Sequence, residues 1–138
     1  IRPSGYYRQK ARRLKGVAAI LFGREEKKPP DREFLLGISG IGPETADSIL
    51  LYAYDTPVFI ADLYTRRFVM RLAGDAKMGE YEGVRSLFEE TLVHETTLFA
   101  EYHALIVRHG KEHCGAKIRC SGCPSRDGCA TGMRAGDA

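Results

Sequence analysis

The sequence predicts an all-α fold, and three observations carry that expectation. Apolar residues recur at helical spacing, as Ala11, Leu14, Ala18 and Leu21 over 8–23 and as Ala46, Ile49, Leu50 and Ala53 over 43–54. Residues that start helices stand before such runs: Asp31, Pro43 and Asp62. The run PVFIA at 57–61 reads locally as a strand, but it is isolated, so it is expected to be a buried connector.

The elements follow in order. A helix over 8–23 places Ala11, Leu14, Ala18, Leu21 and Phe22 on one side. KKPPDREF is a linker, and Asp31 caps a short helix over 32–38. A glycine turn leads to a helix over 43–54. Asp62 opens another that runs to about Leu72, with Leu63, Phe68, Val69 and Leu72 facing inward. Helices over 80–93 and 97–109 precede a cysteine-bearing loop. No repeats or low-complexity tracts are present. With 43% hydrophobic residues and no long apolar run, a soluble protein with no membrane partner is expected.

The turn Gly40-Ile41-Gly42 opens directly onto a helix. Glycine lets another backbone or a phosphate approach closely, and a new helix presents unpaired N–H groups to an anion. Pro43 stands where a helix best tolerates proline, and Glu44 adds a favourable negative charge to the first turn. Ile38 and Ile41 can pack the turn into a core. Such a hairpin could grip nucleic acid without reading its sequence, although a plain inter-helix turn has the same local pattern. Asp62 lies twenty residues past Gly42. From its local sequence alone it is a helix cap.

All four cysteines fall near the end of the chain, as Cys114, Cys120, Cys123 and Cys129. Disulfides fit poorly, because Cys120 and Cys123 are too close for an ordinary loop and no signal peptide is visible. Zinc sites usually use two C-x2-C knuckles, and there is one here. The longer outer spacings favour a 4Fe–4S cluster over zinc.

These segments together resemble the endonuclease III superfamily of DNA glycosylases, the helix–hairpin–helix and Gly/Pro-Asp group. GYYRQKARRL resembles the family's entry to the helix before the hairpin, ISGIGPETA its hairpin, and FIADLYTRR its catalytic-aspartate segment. ALIVRHGKEHC leads into the cysteine loop as it does in the family. The resemblance implies a helix–hairpin–helix domain over 1–73, whose front helices are missing, and an iron–sulfur cluster domain over 74–138.

It also implies roles. Asp62 is expected to be the catalytic carboxylate, acting on a base flipped out of the duplex. Gly40, Ile41, Gly42, Glu44 and Thr45 of the hairpin, with Lys117 and Arg119 between the first cysteines, are expected to touch DNA. Arg66 or Arg67 can reach a phosphate, and His109 is expected beside the cluster as a structural residue. Cys114, Cys120, Cys123 and Cys129 are the expected ligands of a 4Fe–4S cluster. His94 and His103 carry no motif.

Two departures from the family pattern matter. Bifunctional members carry a lysine at the position of Glu44, eighteen residues before the aspartate, and a carboxylate cannot form their Schiff base. The resemblance therefore implies a monofunctional DNA N-glycosylase of base-excision repair. The alternatives are a bifunctional glycosylase/lyase acting on oxidised pyrimidines and a non-catalytic DNA-binding relative. The first cysteine gap has five residues where the family usually has six, which tightens the loop without removing a ligand.

Charge fits a nucleic-acid partner through its distribution. The net charge is only +3, yet Arg2, Arg8, Lys10, Arg12, Arg13, Lys15 and Arg24 precede the first acid. Glu80, Glu82, Glu89 and Glu90 come later, which suggests a DNA-facing side and a solvent side. The expected partners are double-stranded DNA with a damaged or mispaired base, and an N-terminal segment preceding Ile1. That segment would cover apolar surface on helices 8–23 and 43–54 that this chain leaves open. An intracellular location, cytoplasmic or nucleoid, is expected.

Overall fold

The computed structural model describes residues 5–24 and 28–135. Arg2 of the basic run and Lys27 of the linker lie outside the described residues. Among the described residues seven α-helices follow in order: α1 (Tyr7–Phe22), α2 (Arg32–Leu36), α3 (Pro43–Ala53), α4 (Leu63–Ala73), α5 (Tyr81–Thr91), α6 (Thr96–Glu112) and α7 (Ala130–Arg134). Short 3-10 turns stand at Ala76–Gly79 and Arg126–Gly128. Among the described residues the only β pairing is an isolated bridge between Cys114 and Ile118. No helix among them is long and apolar enough to cross a membrane.

Helix starts follow local chemistry. Asp31 accepts from the Phe34 amide at 2.7 Å, and Asp62 accepts from the Thr65 amide at 2.8 Å. The run 57–61 is an extended connector, with Phe59, Ile60 and Ala61 buried. Helix α6 continues to Glu112, and α7 and both 3-10 turns were not anticipated; all four places hold short or charged stretches with weak apolar periodicity.

The core has three parts. Leu35, Ile38, Ile41, Ala46 and Leu50 pack α2, the hairpin and α3 together, with Val17 and Leu21 of α1 against them. Leu51, Phe59, Ile60, Phe99 and Ile106 join α3 and the connector to α6. Ala61, Val69 and Val84 join α4 to α5. Phe59 is the pivot: it stacks on Phe88 at 4.1 Å and meets the edge of Phe99 at 5.5 Å. Such ring pairs add about 0.5–1.5 kcal/mol each beyond their area.

Two inward assignments on α4 are corrected. Leu63 and Leu72 are exposed, and Thr65 and Val69 are buried instead. The Asp62 cap sets the phase of the helix, so residues three and seven positions after it turn inward.

Helix α1 has no buried residue. Its apolar side lines an open groove of about 740 Å³ together with Ile41, Ile49 and Ala53; Phe22 at its rim is 90% exposed.

The expected acidic solvent side is also corrected in part. Asp47 is wholly buried and takes a bidentate contact from Arg32, Nε to Oδ1 at 2.6 Å and Nη2 to Oδ2 at 3.1 Å. The Tyr81 hydroxyl donates to Asp47 Oδ2 at 2.8 Å. Burial and the Asp47 charge push the Tyr81 phenol well up, so it stays a donor. Arg32 reaches on to Glu82, Arg85 bonds both Glu82 and Glu89, and Glu89 accepts the Phe59 amide at 2.9 Å. Glu82 and Glu89 thus tie α2, α3 and α5 to the connector that leads to Asp62.

Candidate functional site

The hairpin is built by its two isoleucines and one left-handed glycine. The Ile41 amide donates to the Ile38 carbonyl at 3.0 Å, and both side chains are buried beneath the turn. Gly40 has φ +90°, which L side chains rarely adopt, and a Cβ there would meet the Arg13 side chain at 3.0 Å. Gly42 differs. Its backbone is extended, at φ −98° and ψ 176°, and a Cβ would meet nothing within 4 Å. Nothing inside the fold calls for glycine at 42; the open space lies outside, at the start of α3. Glu44 and Thr45 are exposed in that first turn, which no side chain caps. This arrangement can hold an anion against backbone amides.

Asp62 sits where α3, α4 and α6 meet. Its Oδ1 is held by the Thr65 amide, and its Oδ2 lies 3.6 Å from His103 Nε2. His103 Nδ1 is in turn 2.8 Å from the Tyr52 hydroxyl. Burial pushes the Asp62 carboxyl up, but the His103 contact and the Thr65 amide outweigh it, and its pKa falls below the ordinary value. Asp62 is therefore a half-buried carboxylate that stays ionised at neutral pH. Burial, and secondarily the Asp62 charge, raise the Tyr52 phenol.

His103 is the site residue that local sequence reading misses. It stands in the inward stripe Phe99, His103, Ile106 and Gly110 of α6, and a polar residue in an apolar stripe is the signal that could have found it. Gly110 lets α6 approach α4 closely, because a Cβ there would collide with the Tyr64 ring.

Arg66 Nε is buried without a hydrogen-bond partner, and Arg67 lies 5.9 Å from the centre of the Tyr64 ring. Lys117 and Arg119 are exposed on the cysteine loop, and Arg119 Nη2 donates to the Lys111 carbonyl at 2.8 Å.

The four cysteines are free and part-buried, and all line one small pocket. Among the described residues, no three of His, Cys, Asp and Glu converge as a site for a single metal ion. The surroundings suit thiolates. Arg71 Nη1 donates to Cys114 Sγ at 3.3 Å and to the carbonyls of Cys114 and Gly115 at 2.9 and 2.7 Å. The Gly132 amide donates to Cys129 Sγ at 3.4 Å. His109 Nε2 lies 3.8 Å from Cys123 Sγ, and its ring meets the Phe68 ring edge-on at 5.2 Å. Four sulfurs around one pocket, with a guanidinium and an amide directed at two of them, fit the ligand set of an iron–sulfur cluster. The cysteines are not brought to Asp62: α4, roughly 16 Å long at about 1.5 Å per residue, separates them.

The family model described as HhH-GPD superfamily base excision DNA repair protein matches residues 1–93. The chain belongs to this superfamily. It is 41% identical over 139 residues to a putative DNA repair glycosylase of Methanocaldococcus jannaschii, covering 94% of this chain and 63% of that protein. It is 32% identical over 134 residues to endonuclease III of Sulfolobus acidocaldarius, covering 94% of this chain and 59% of that one. The chain thus spans about three fifths of the relatives it matches. Among solved structures it is similar to endonuclease III in a non-covalent DNA complex, with a TM-score of 0.79 and 26% identity over 97% of this chain and 63% of that one. The all-α helix–hairpin–helix fold of the HhH-GPD superfamily is therefore the fold of this chain.

Proposed function

We propose that this HhH-GPD chain carries the phosphate grip and the catalytic carboxylate of a monofunctional DNA N-glycosylase. The observation that carries the reading is the state of Asp62: half-buried and ionised, with Oδ1 held by the Thr65 amide and Oδ2 facing His103 Nε2 at 3.6 Å. A helix cap needs one oxygen and no second partner. A fixed negative charge suits the positive charge that develops on deoxyribose as the glycosidic bond breaks. In this reading the C1′–N bond breaks, the base leaves with the bond's electron pair and gains a proton from solvent, and water adds to C1′ and gives up its own proton to solvent.

Residues 1–73 hold the hairpin and Asp62. Gly40, Ile41, Gly42, Glu44 and Thr45 form the backbone grip on phosphate, and Lys117 and Arg119 add cationic contacts to duplex DNA. Residues 74–138 hold a 4Fe–4S cluster through Cys114, Cys120, Cys123 and Cys129. Those cysteines would hold the cluster within the terminal loop, which Arg71 ties to α4, and base removal is left to Asp62. Glu44 at the head of α3 offers no amine, which favours hydrolysis over the lyase step. The solved relatives are endonuclease III–DNA complexes, and this supports the assignment of DNA as partner.

Base-release assays on duplexes carrying an oxidised pyrimidine, an alkylated purine or a mispaired adenine test the reading. Release of one of these bases, lost in Asp62→Asn, is the expected result. Release that is unchanged in Asp62→Asn would overturn it.

A further inference from the structure

Three helices bring a second titratable pair to Asp62, and the sequence gives no motif for either member. His103 comes from α6 and Tyr52 from α3, while Asp62 caps α4. His103 Nε2 is buried and has no hydrogen-bond partner within ordinary range. The acceptor recorded beside it is Asp62 Oδ2 at 3.6 Å. A buried N–H is rarely left unpaired, and Asp62 Oδ2 is the acceptor it faces.

The tautomer follows from the partners of the two ring nitrogens. The Tyr52 oxygen stands 2.8 Å from Nδ1, and the phenol stays protonated because its site is partly desolvated and faces the Asp62 charge. Asp62 as a carboxylate can only accept, so in the neutral imidazole the proton sits on Nε2, towards Asp62, which leaves Nδ1 to accept from the Tyr52 hydroxyl. The titratable groups facing the imidazole from the two packed elements are Tyr52 on α3 and Asp62 at the start of α4.

We infer that His103 is a positioning residue for Asp62, set in its Nε2–H tautomer by Tyr52 and holding Oδ2 while the Thr65 amide holds Oδ1. This rests on the reading of Asp62 as the catalytic carboxylate. With both oxygens held, the carboxylate keeps one orientation, and its remaining lone pairs point to the open side of the site. A neutral donor stabilises the charge without cancelling it.

The test uses the full protein, with base release under single-turnover conditions and binding to a duplex carrying an abasic analogue. Losing one hydrogen bond to a charged group predicts that His103→Ala slows release about tenfold to a hundredfold, with binding unchanged. His103→Gln keeps a donor near Nε2 and should restore part of the rate. Tyr52→Phe should give a smaller loss. Nitrogen-15 imidazole spectra should show the Nε2–H form in the parent and a mixture of tautomers in Tyr52→Phe. If Asp62→Asn is inactive while His103→Ala and Tyr52→Phe release base at the parent rate, the inference fails and the reading of Asp62 stands. If Asp62→Asn is fully active, that reading fails first. An Nδ1–H tautomer in the parent would overturn the role of Tyr52 whatever the rates.

Discussion

Asp62 and Arg71 stand at opposite ends of one helix. Asp62 caps the start of α4, and Arg71 in its last turn donates to Cys114 Sγ and to the carbonyls of Cys114 and Gly115. The candidate catalytic carboxylate and the cysteine loop therefore share one rigid element, so disturbance of the loop reaches Asp62 through the pitch and position of α4.

Arg71→Ala should loosen that loop first. Purified parent protein is expected to be brown, with about four irons and four sulfides per chain. Arg71→Ala should lose cluster faster on exposure to chelator, followed by the decay of visible absorbance. A colourless parent protein with stoichiometric zinc would overturn the cluster assignment.

Gly42→Ala separates the two hairpin glycines. Its backbone suits any residue and its Cβ meets nothing, so thermal stability should change little. Duplex affinity should fall for all sequences alike, because the added methyl group occupies the approach of a phosphate. Gly40→Ala should instead lower stability, through its φ of +90° and the Arg13 side chain. Calorimetry and binding by anisotropy check both; a change in base preference without loss of affinity would refute the hairpin grip.

Asp47→Ala should be among the most destabilising single changes. It leaves part-buried Arg32 and the Tyr81 hydroxyl without their shared acceptor. Breaking a buried pair costs about 3–5 kcal/mol, and the partial exposure of Arg32 places the expected loss near the lower end. Denaturant unfolding measures it. A loss below about 1 kcal/mol would show that solvent replaces the network.

Acid stability should depend on Asp62. Its folded pKa lies below the unfolded value, so its contribution is present above the ordinary carboxylate range and is lost as pH falls through the folded pKa. Glu82, lowered chiefly by its bonds from Arg32 and Arg85 against burial, acts with the same sign. Asp62→Asn should flatten the fall in melting temperature below about pH 4. An unchanged acid profile would show that Asp62 gains nothing from its partners.

Glu44→Lys tests the lyase step. Borohydride treatment with an abasic duplex should trap little of the parent protein, and Glu44→Lys should trap more. Strong trapping of the parent would mean that another amine serves, and would restore the bifunctional alternative.

The local sequence was sufficient for features whose causes lie within a few residues. Asp31 and Asp62 cap helices because a carboxylate reaches an amide three positions on. The hairpin turns at Gly40 because only glycine is at ease there, and the closely spaced cysteines line one pocket. Contacts made across the chain were not legible. Asp47, His103 and Tyr52 carry no motif; each matters because packing brings it to a partner 15 to 51 residues away. The same packing turned Leu63 outward and Thr65 inward, since the phase of α4 is set by its cap and its neighbours together. Short-range hydrogen bonding and backbone sterics are written in neighbouring residues. Which buried polar groups meet is decided when helices dock, because only then does desolvation force each to find a partner.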